Sequence, residues 1–292
     1  MGETKRRLEA VSGSTNALSD LTAAPEKPAE KPSASKQREF ADPKNSDRRG
    51  LLGFVETVLR RFKILSHLAL ILPVYGLGCI VIGAAVAPAL ALYEFLSGFA
   101  VGQMIFLKYF ILGSSVVASY LTYGFSLILL TPLINILLRT RLKPWRGPYY
   151  SLEAVRWYVH NGATYIVRFT FLEFITPTPF NILFYRMMGM TVGRGTTINT
   201  TWISDPSLIH LGNKVTIGGS VTLIGHYGQG GYLVLAPTRI GNGVTIGLKA
   251  TIMGDVIIGD GAKVLPNSVV MPKTVIPPGE VWGGVPARKL DT

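Results

Sequence analysis

The chain is poor in the residues that most often carry metal and redox chemistry: its 292 residues include one cysteine and four histidines. With Cys79 alone, neither an intramolecular disulfide nor a cysteine zinc site is available. Cys79 falls within an apolar run, where the expected role is that of a small buried hydrophobe. Charge is scarce too. Only 16% of residues are Asp, Glu, Lys or Arg, against 48% hydrophobic, and such a balance calls for a membrane part. Acidic residues nearly vanish between positions 51 and 146, where Glu56 and Glu94 stand against eight Lys and Arg. The net charge of +12 is therefore densest around the apolar stretch. That placement suits anionic lipid headgroups, and no nucleic-acid motif accompanies it.

Residues 1–50 are rich in Ala, Ser, Pro, Glu and Lys without a hydrophobic period, which predicts a disordered N-terminal tail. No apolar core follows Lys5-Arg6-Arg7, so a signal peptide is not expected. Residues Leu51 to Lys63 read as a basic amphipathic helix lying on a membrane surface. Two apolar runs follow, about Ile64–Leu92 and Ile105–Leu138. Each exceeds the roughly 20 residues that cross a bilayer core. Gly76, Gly78, Gly83, Gly113 and Ser114 are candidates for close helix contact. Arg60, Arg61 and Lys63 precede the first run, and Arg139, Arg141, Lys143 and Arg146 follow the second. The positive-inside rule then turns residues 51–146 into a two-span hairpin of the inner membrane, with tail and C-terminal domain in the cytoplasm. Residues 147–190 interleave aromatic side chains with Arg156, Arg168 and Arg186. They suit an interfacial segment, with His160 at the interface, or a helical cap on the C-terminal domain.

From Val192 an aliphatic residue recurs every six positions: Val192 and Ile198, then Leu211, Ile217 and Leu223, and finally Ile240 through Ile276 without a slip. A hexapeptide period signals a parallel β-helix. The second position is repeatedly glycine (Gly193, Gly212, Gly218, Gly241, Gly247, Gly259), expected to supply the corner backbone angles. The fifth is small or β-branched, as at Val215, Val244, Ala250 and Ala262. Such residues pack inward beside the aliphatic stack. The period breaks once at length: the hexad due near position 229 is delayed by eleven residues, until Ile240. A polar loop, Gly225-His226-Tyr227-Gly228-Gln229-Gly230-Gly231, fills the gap, and loops expelled from a regular scaffold commonly carry function.

From Gly189-Met190-Thr191-Val192-Gly193 to Gly283-Gly284-Val285-Pro286-Ala287-Arg288 the pattern resembles the hexapeptide-repeat acyltransferase superfamily. More narrowly, the lone histidine, the polar loop and Ala236-Pro237-Thr238-Arg239-Ile240-Gly241 resemble the terminal membrane-embedded β-helical domains of poly-lysine-synthase-type peptide synthetases. The resemblance implies a left-handed parallel β-helix over residues 191–292, a homotrimer, and an acyl coenzyme A thioester as donor. It also implies one histidine base near a subunit boundary, and His226 is the position that matches. An imidazole titrates where a base for an attacking hydroxyl or amine is needed. His210 is the weaker rival, and Asp205 could orient the histidine if the fold brings it close. Gly225, Gly228, Gly230 and Gly231 could present amides to an oxyanion. For the coenzyme, the matching positions are Gly247, Lys249, Pro266, Asn267, Lys273 and Arg288, the three cations being candidates for its phosphates. No phosphate loop is present, so ATP is not expected.

The expected whole is a membrane-anchored transferase of acyl groups other than aminoacyl groups, using acyl-CoA, in the first instance acetyl-CoA. Its acceptor would be the hydroxyl or amine of a lipid-linked or surface-glycan precursor. The alternative is a non-catalytic β-helical membrane scaffold. A metal-dependent hydratase of the carbonic-anhydrase type would need three histidine ligands. His210 and His226 lack a nearby third, and no metal is expected.

Overall fold

The computed structural model describes residues 44–46 and 48–291. The tail expected over residues 1–50 lies for the most part outside them. Helix α1, Gly50–Arg61, turns its apolar residues Leu51, Leu52 and Phe54 outward and buries Glu56 and Arg60. Those two form an ion pair, and Arg48 adds a second to Glu56 at 3.2 Å. An exposed apolar face over a buried polar one is the inverse of a soluble helix.

Two helices long and apolar enough to cross a membrane follow, α2 (Lys63–Ser97) and α3 (Ile105–Leu137). At about 1.5 Å per residue, their 35 and 33 residues give lengths near 50 Å, beyond the ~30 Å of a bilayer core. They pack as an antiparallel hairpin and leave large apolar side chains such as Ile64, Leu72, Phe106 and Phe110 exposed. Gly76, Gly83 and Gly113 do not serve the helix contact expected of them, for a Cβ on each would meet open space. Gly78 and Gly124 do, but against the segment beyond the hairpin. Gly124 of α3 receives the ring of Phe171, and Gly78 lies 3.1 Å (at its would-be Cβ) from Ile166. Both partners belong to helix α4 (Leu152–Val167) and its π-helical continuation Arg168–Leu172. Ser151 caps α4 by accepting from Ala154 N at 3.3 Å. Helix α4 thus packs on both long helices, and α5 (Pro179–Met187) touches α3 and the first two short strands that follow it, Thr191–Val192 and Thr197–Ile198.

From Thr191 the chain winds into a parallel β-helix whose short strands form three sheets, parallel but for the terminal strand Ala287–Lys289. Thr245 and Ile246 pair with Lys263 and Val264, eighteen residues on, and Thr251 and Ile252 with Val269 and Val270. Every aliphatic hexad residue from Val192 to Ile276 is buried, as are the fifth-position residues Val215, Val221, Val244, Ala250, Val256 and Ala262. One expectation is corrected. The second-position glycines do not supply the left-handed corner. That falls to the fourth position, where Lys214, Ser220, Lys249, Asp255, Asn267 and Lys273 all have φ between 54° and 67°. The second-position glycines are needed because the coils approach too closely for a side chain. A Cβ at Gly247 would stand 2.4 Å from Pro266 N, and one at Gly259 2.5 Å from Pro278 N.

Gly247→Ala and Gly259→Ala therefore each overpack adjacent coils, at a cost of about 1–3 kcal/mol. Gly76→Ala, in open space on α2, should be neutral or slightly stabilising. Thermal unfolding of the detergent-solubilised chain distinguishes the two classes.

Candidate active site

The segment that interrupts the hexads is not a loop but an antiparallel hairpin, β2 (His226–Gln229) against β3 (Tyr232–Leu235), with β1 (Trp145–Pro148) as a third strand beside β3. Its two-residue turn is Gly230-Gly231, at φ 57° and 82°. Such angles match the twist of a tight hairpin and favour glycine. Tyr227, Leu233, Val234 and Leu235 are buried, so the segment has a core side that its glycine content concealed. Because β1 follows α3 directly, the chain leaving the helical hairpin fastens the strand whose partner starts at His226.

His226 stands at the corner where the insertion leaves the coil. Asp205 occupies the same corner one coil earlier, in a left-handed conformation at φ 57°. Its carboxylate is wholly buried and accepts four hydrogen bonds. Trp157 Nε1 and Asn161 Nδ2 donate to Oδ1 at 2.8 and 2.7 Å. Gly225 N and His226 Nδ1 donate to Oδ2 at 3.1 and 2.5 Å. Asn161 Oδ1 in turn accepts from Asp205 N at 3.0 Å. Burial by itself pushes a carboxyl pKa up. Here the hydrogen bond and charge of His226, with Asn161, overcome it and hold Asp205 below its usual 3.8. An ionised carboxylate only accepts, so the proton of a neutral His226 is held on Nδ1 and the lone pair lies on Nε2. The indole of Trp157 packs edge-on to the imidazole, 5.0 Å between centroids, and the histidine side chain is 22% exposed.

The other histidines are placed differently. His160, expected at the interface, is fully buried between α4 and α3, with Nδ1 2.9 Å from Asn135 Oδ1. Burial lowers its pKa to about 4; Asp205 opposes this and Arg141 assists it. His210 lies on a coil face beside Thr191 Oγ1 at 3.1 Å, away from Asp205. His67 makes an edge contact with Tyr158. Gly225 is not available to an oxyanion, since its N–H is taken by Asp205. Gly228 lies on β2 opposite Leu233 of β3.

The positions assigned to a coenzyme A thioester do not gather in one place. Lys249 and Asn267 lie at one corner of the coils with Gly247 and Pro266, Asn267 N donating to Leu248 O at 3.0 Å. Lys273 lies on the corner of His226. Lys273 N donates to Asp255 O at 2.8 Å, and a Cβ on the adjoining Gly254 would stand 2.8 Å from His226 N. Arg288 is on the terminal strand Ala287–Lys289. Lys249, Lys273 and Arg288 are all exposed, as a phosphate contact requires. Among the described residues no group of three or more His, Cys, Asp or Glu is placed to hold a metal ion within one chain. Asn161 and Trp157 carry no signal in the sequence, since their helix holds no motif.

Residues 237–276 match the family model described as bacterial transferase hexapeptide (six repeats). Over those residues the chain carries the hexapeptide repeat. It is 26% identical over 171 residues to a delta-poly-L-ornithine synthetase of Acinetobacter baumannii, covering 59% of this chain but 13% of that protein. It is 36% identical over 102 residues to the mitochondrial gamma carbonic anhydrase 2 of Arabidopsis thaliana, 34% of each. A putative acetyltransferase of Bacillus subtilis is 29% identical over 150 residues, 47% of this chain and 84% of the relative. The chain thus spans about an eighth of the first relative and a third of the second. A solved hexapeptide-repeat acetyltransferase of Vibrio cholerae, complexed with acetyl coenzyme A, is 20% identical with a TM-score of 0.41, over 53% of this chain and 97% of that one.

The buried neutral His160 makes a pH prediction. Its folded pKa, about 4, lies below the ordinary 6.5. The unfolded chain therefore binds more protons between those values, and stability falls as pH drops from about 6.5 toward 4. His160→Gln should flatten that part of a melting-temperature profile; an unchanged slope would contradict the assignment.

Proposed function

We propose that the chain is a membrane-anchored, acyl-CoA-dependent O- or N-acyltransferase with His226 as general base. The observation that carries the proposal is the buried Asp205 carboxylate, held by four donors and aimed at His226 Nδ1. A hydroxyl or amine of the acceptor attacks the thioester carbonyl carbon while His226 Nε2 takes its proton. The carbon–sulfur bond then breaks, and the imidazolium returns the proton to the departing thiolate. Asp205 steadies the imidazolium without itself being protonated. The carrier of the acyl group supplies only the activated thioester; the fold supplies base, orientation and a partly dry site.

On this reading the β-helix is left-handed and the protein a homotrimer. A second copy would bring the Lys249–Asn267 corner to the corner of His226, which one chain keeps apart. Helices α2 and α3 form a two-span hairpin in the inner membrane, with both flanks in the cytoplasm, as their basic flanks favour. The acceptor is then lipid-linked, either a lipid headgroup or a glycan precursor. The division into a tail over 1–50, a membrane part over 51–146, a cap over 147–190 and a catalytic β-helix over 191–292 belongs to the same proposal. The similarity to gamma carbonic anhydrases does not redirect it, because of the four histidines only His210 and His226 lie on the β-helix, where such a hydratase needs three ligands.

Full-length protein in membranes, supplied with radiolabelled acetyl-CoA and a lipid extract, should label a lipid or glycan product. His226→Ala should lower transfer by about 10²–10⁴-fold, and Asp205→Asn by a similar order through loss of the tautomer lock, with the β-helix still assembled. Unchanged turnover in His226→Ala rules the base out, and no transfer by the intact chain leaves the scaffold reading in its place.

A further inference from the structure

Between α2 and α4 runs a groove of about 600 Å³, within the size range of small-molecule sites. One wall comes from Ile71, Val74, Cys79 and Ile82 of α2, the other from α4. Its lining is apolar apart from a few tyrosines and Asn161, Thr170 and Cys79. The groove is not separate from the dyad: Trp157 lines it and packs on His226, and Asn161 lines it and holds Asp205. Two glycines keep the helices this close, since a Cβ on Gly162 would stand 2.7 Å from Val74 and one on Gly78 3.1 Å from Ile166. An apolar channel that begins on a helix with lipid-exposed character and ends one indole away from a base has a particular shape. It fits an amphiphile with its chain in the groove and its polar end at the histidine.

We infer that the groove holds the hydrocarbon tail of the acceptor, so that the substrate is a membrane amphiphile drawn sideways from the bilayer. This rests on the acyltransferase reading above. The tail would be selected by burial of apolar surface, while the headgroup nucleophile is set beside His226 Nε2. A soluble acceptor would have no use for this wall.

The test uses the full chain in phosphatidylcholine nanodiscs with a trace of phosphatidylethanolamine carrying a diazirine on its acyl tail. After irradiation, mass spectrometry maps the adducts. The groove residues of α2 and α4 should be labelled about tenfold more densely than the outward Phe106 and Phe110 of α3, a preference equivalent to ~1.4 kcal/mol. Cys79→Trp and Ile82→Trp, which fill the groove from the exposed side without touching the dyad, should each remove that excess. Equal density on groove and outer face, or an excess that survives both fillings, overturns the inference and leaves only annular lipid. His226→Ala separates the two claims. It should keep the groove labelling while losing transfer, whereas transfer by a protein whose groove never labels sinks the tail site alone.

Discussion

A single buried carboxylate ties the molecule together. Asp205 has no solvent to ionise into, so its charge exists only because four donors converge on it, from helix α4 and from the start of the inserted hairpin. An unsatisfied buried charge costs several kcal/mol. The position of α4 against the first coil, the path of the chain through Gly225, and the ring orientation of His226 are therefore one requirement. Moving any of them strands the charge.

The rigid parts on either side make that convergence possible. The β-helix holds one left-handed residue per hexad at its corners and lets glycine absorb the close approach of neighbouring coils. Asp205 and His226 thereby occupy the same corner in successive coils, a placement that short strands and tight corners keep fixed. On the other side, Gly78, Gly124 and Gly162 let α4 and its π-helical extension sit deep against the apolar hairpin. The strand Trp145–Pro148 then joins the end of that hairpin to the sheet that starts at His226. Helix α4, seated on the two long apolar helices, and the β-helix so meet at one side chain. In the proposed reading, that arrangement keeps a base within reach of the bilayer.

Much of this was written in the sequence as period. The hexad aliphatics, the two long apolar runs and the one long break after Leu223 all repeat or interrupt a local rule, so the β-helix, the helical pair and the insertion that opens near His226 are legible. The hairpin was not, because Gly225, Gly228, Gly230 and Gly231 hide a segment that buries Tyr227 and the run Leu233-Val234-Leu235. Asn161 and Trp157 were not either. Their meaning arises from a contact with Asp205 more than forty residues away, and nothing local to α4 distinguishes them from an ordinary amphipathic face. Glycine recurs at two positions of the hexad for different reasons: the second is set by coil spacing, whereas the left-handed angle falls on the fourth, held by Gly195, Gly243, Gly261 and Gly279 and, with strain, by Lys214, Ser220, Lys249, Asp255, Asn267 and Lys273. The scattering of Lys249 and Lys273 over separate corners, and of Arg288 onto the terminal strand, could not be read from spacing alone.

The central claim is that Asp205 fixes the proton of His226 on Nδ1 and leaves Nε2 free to act as base. Nitrogen-15 NMR of histidine-labelled protein, with His226 assigned by substitution, reports the tautomer directly. The account predicts a neutral ring protonated on Nδ1, whose Nδ1 signal moves in Asp205→Asn. A ring protonated on Nε2, or one indifferent to Asp205→Asn, would contradict it.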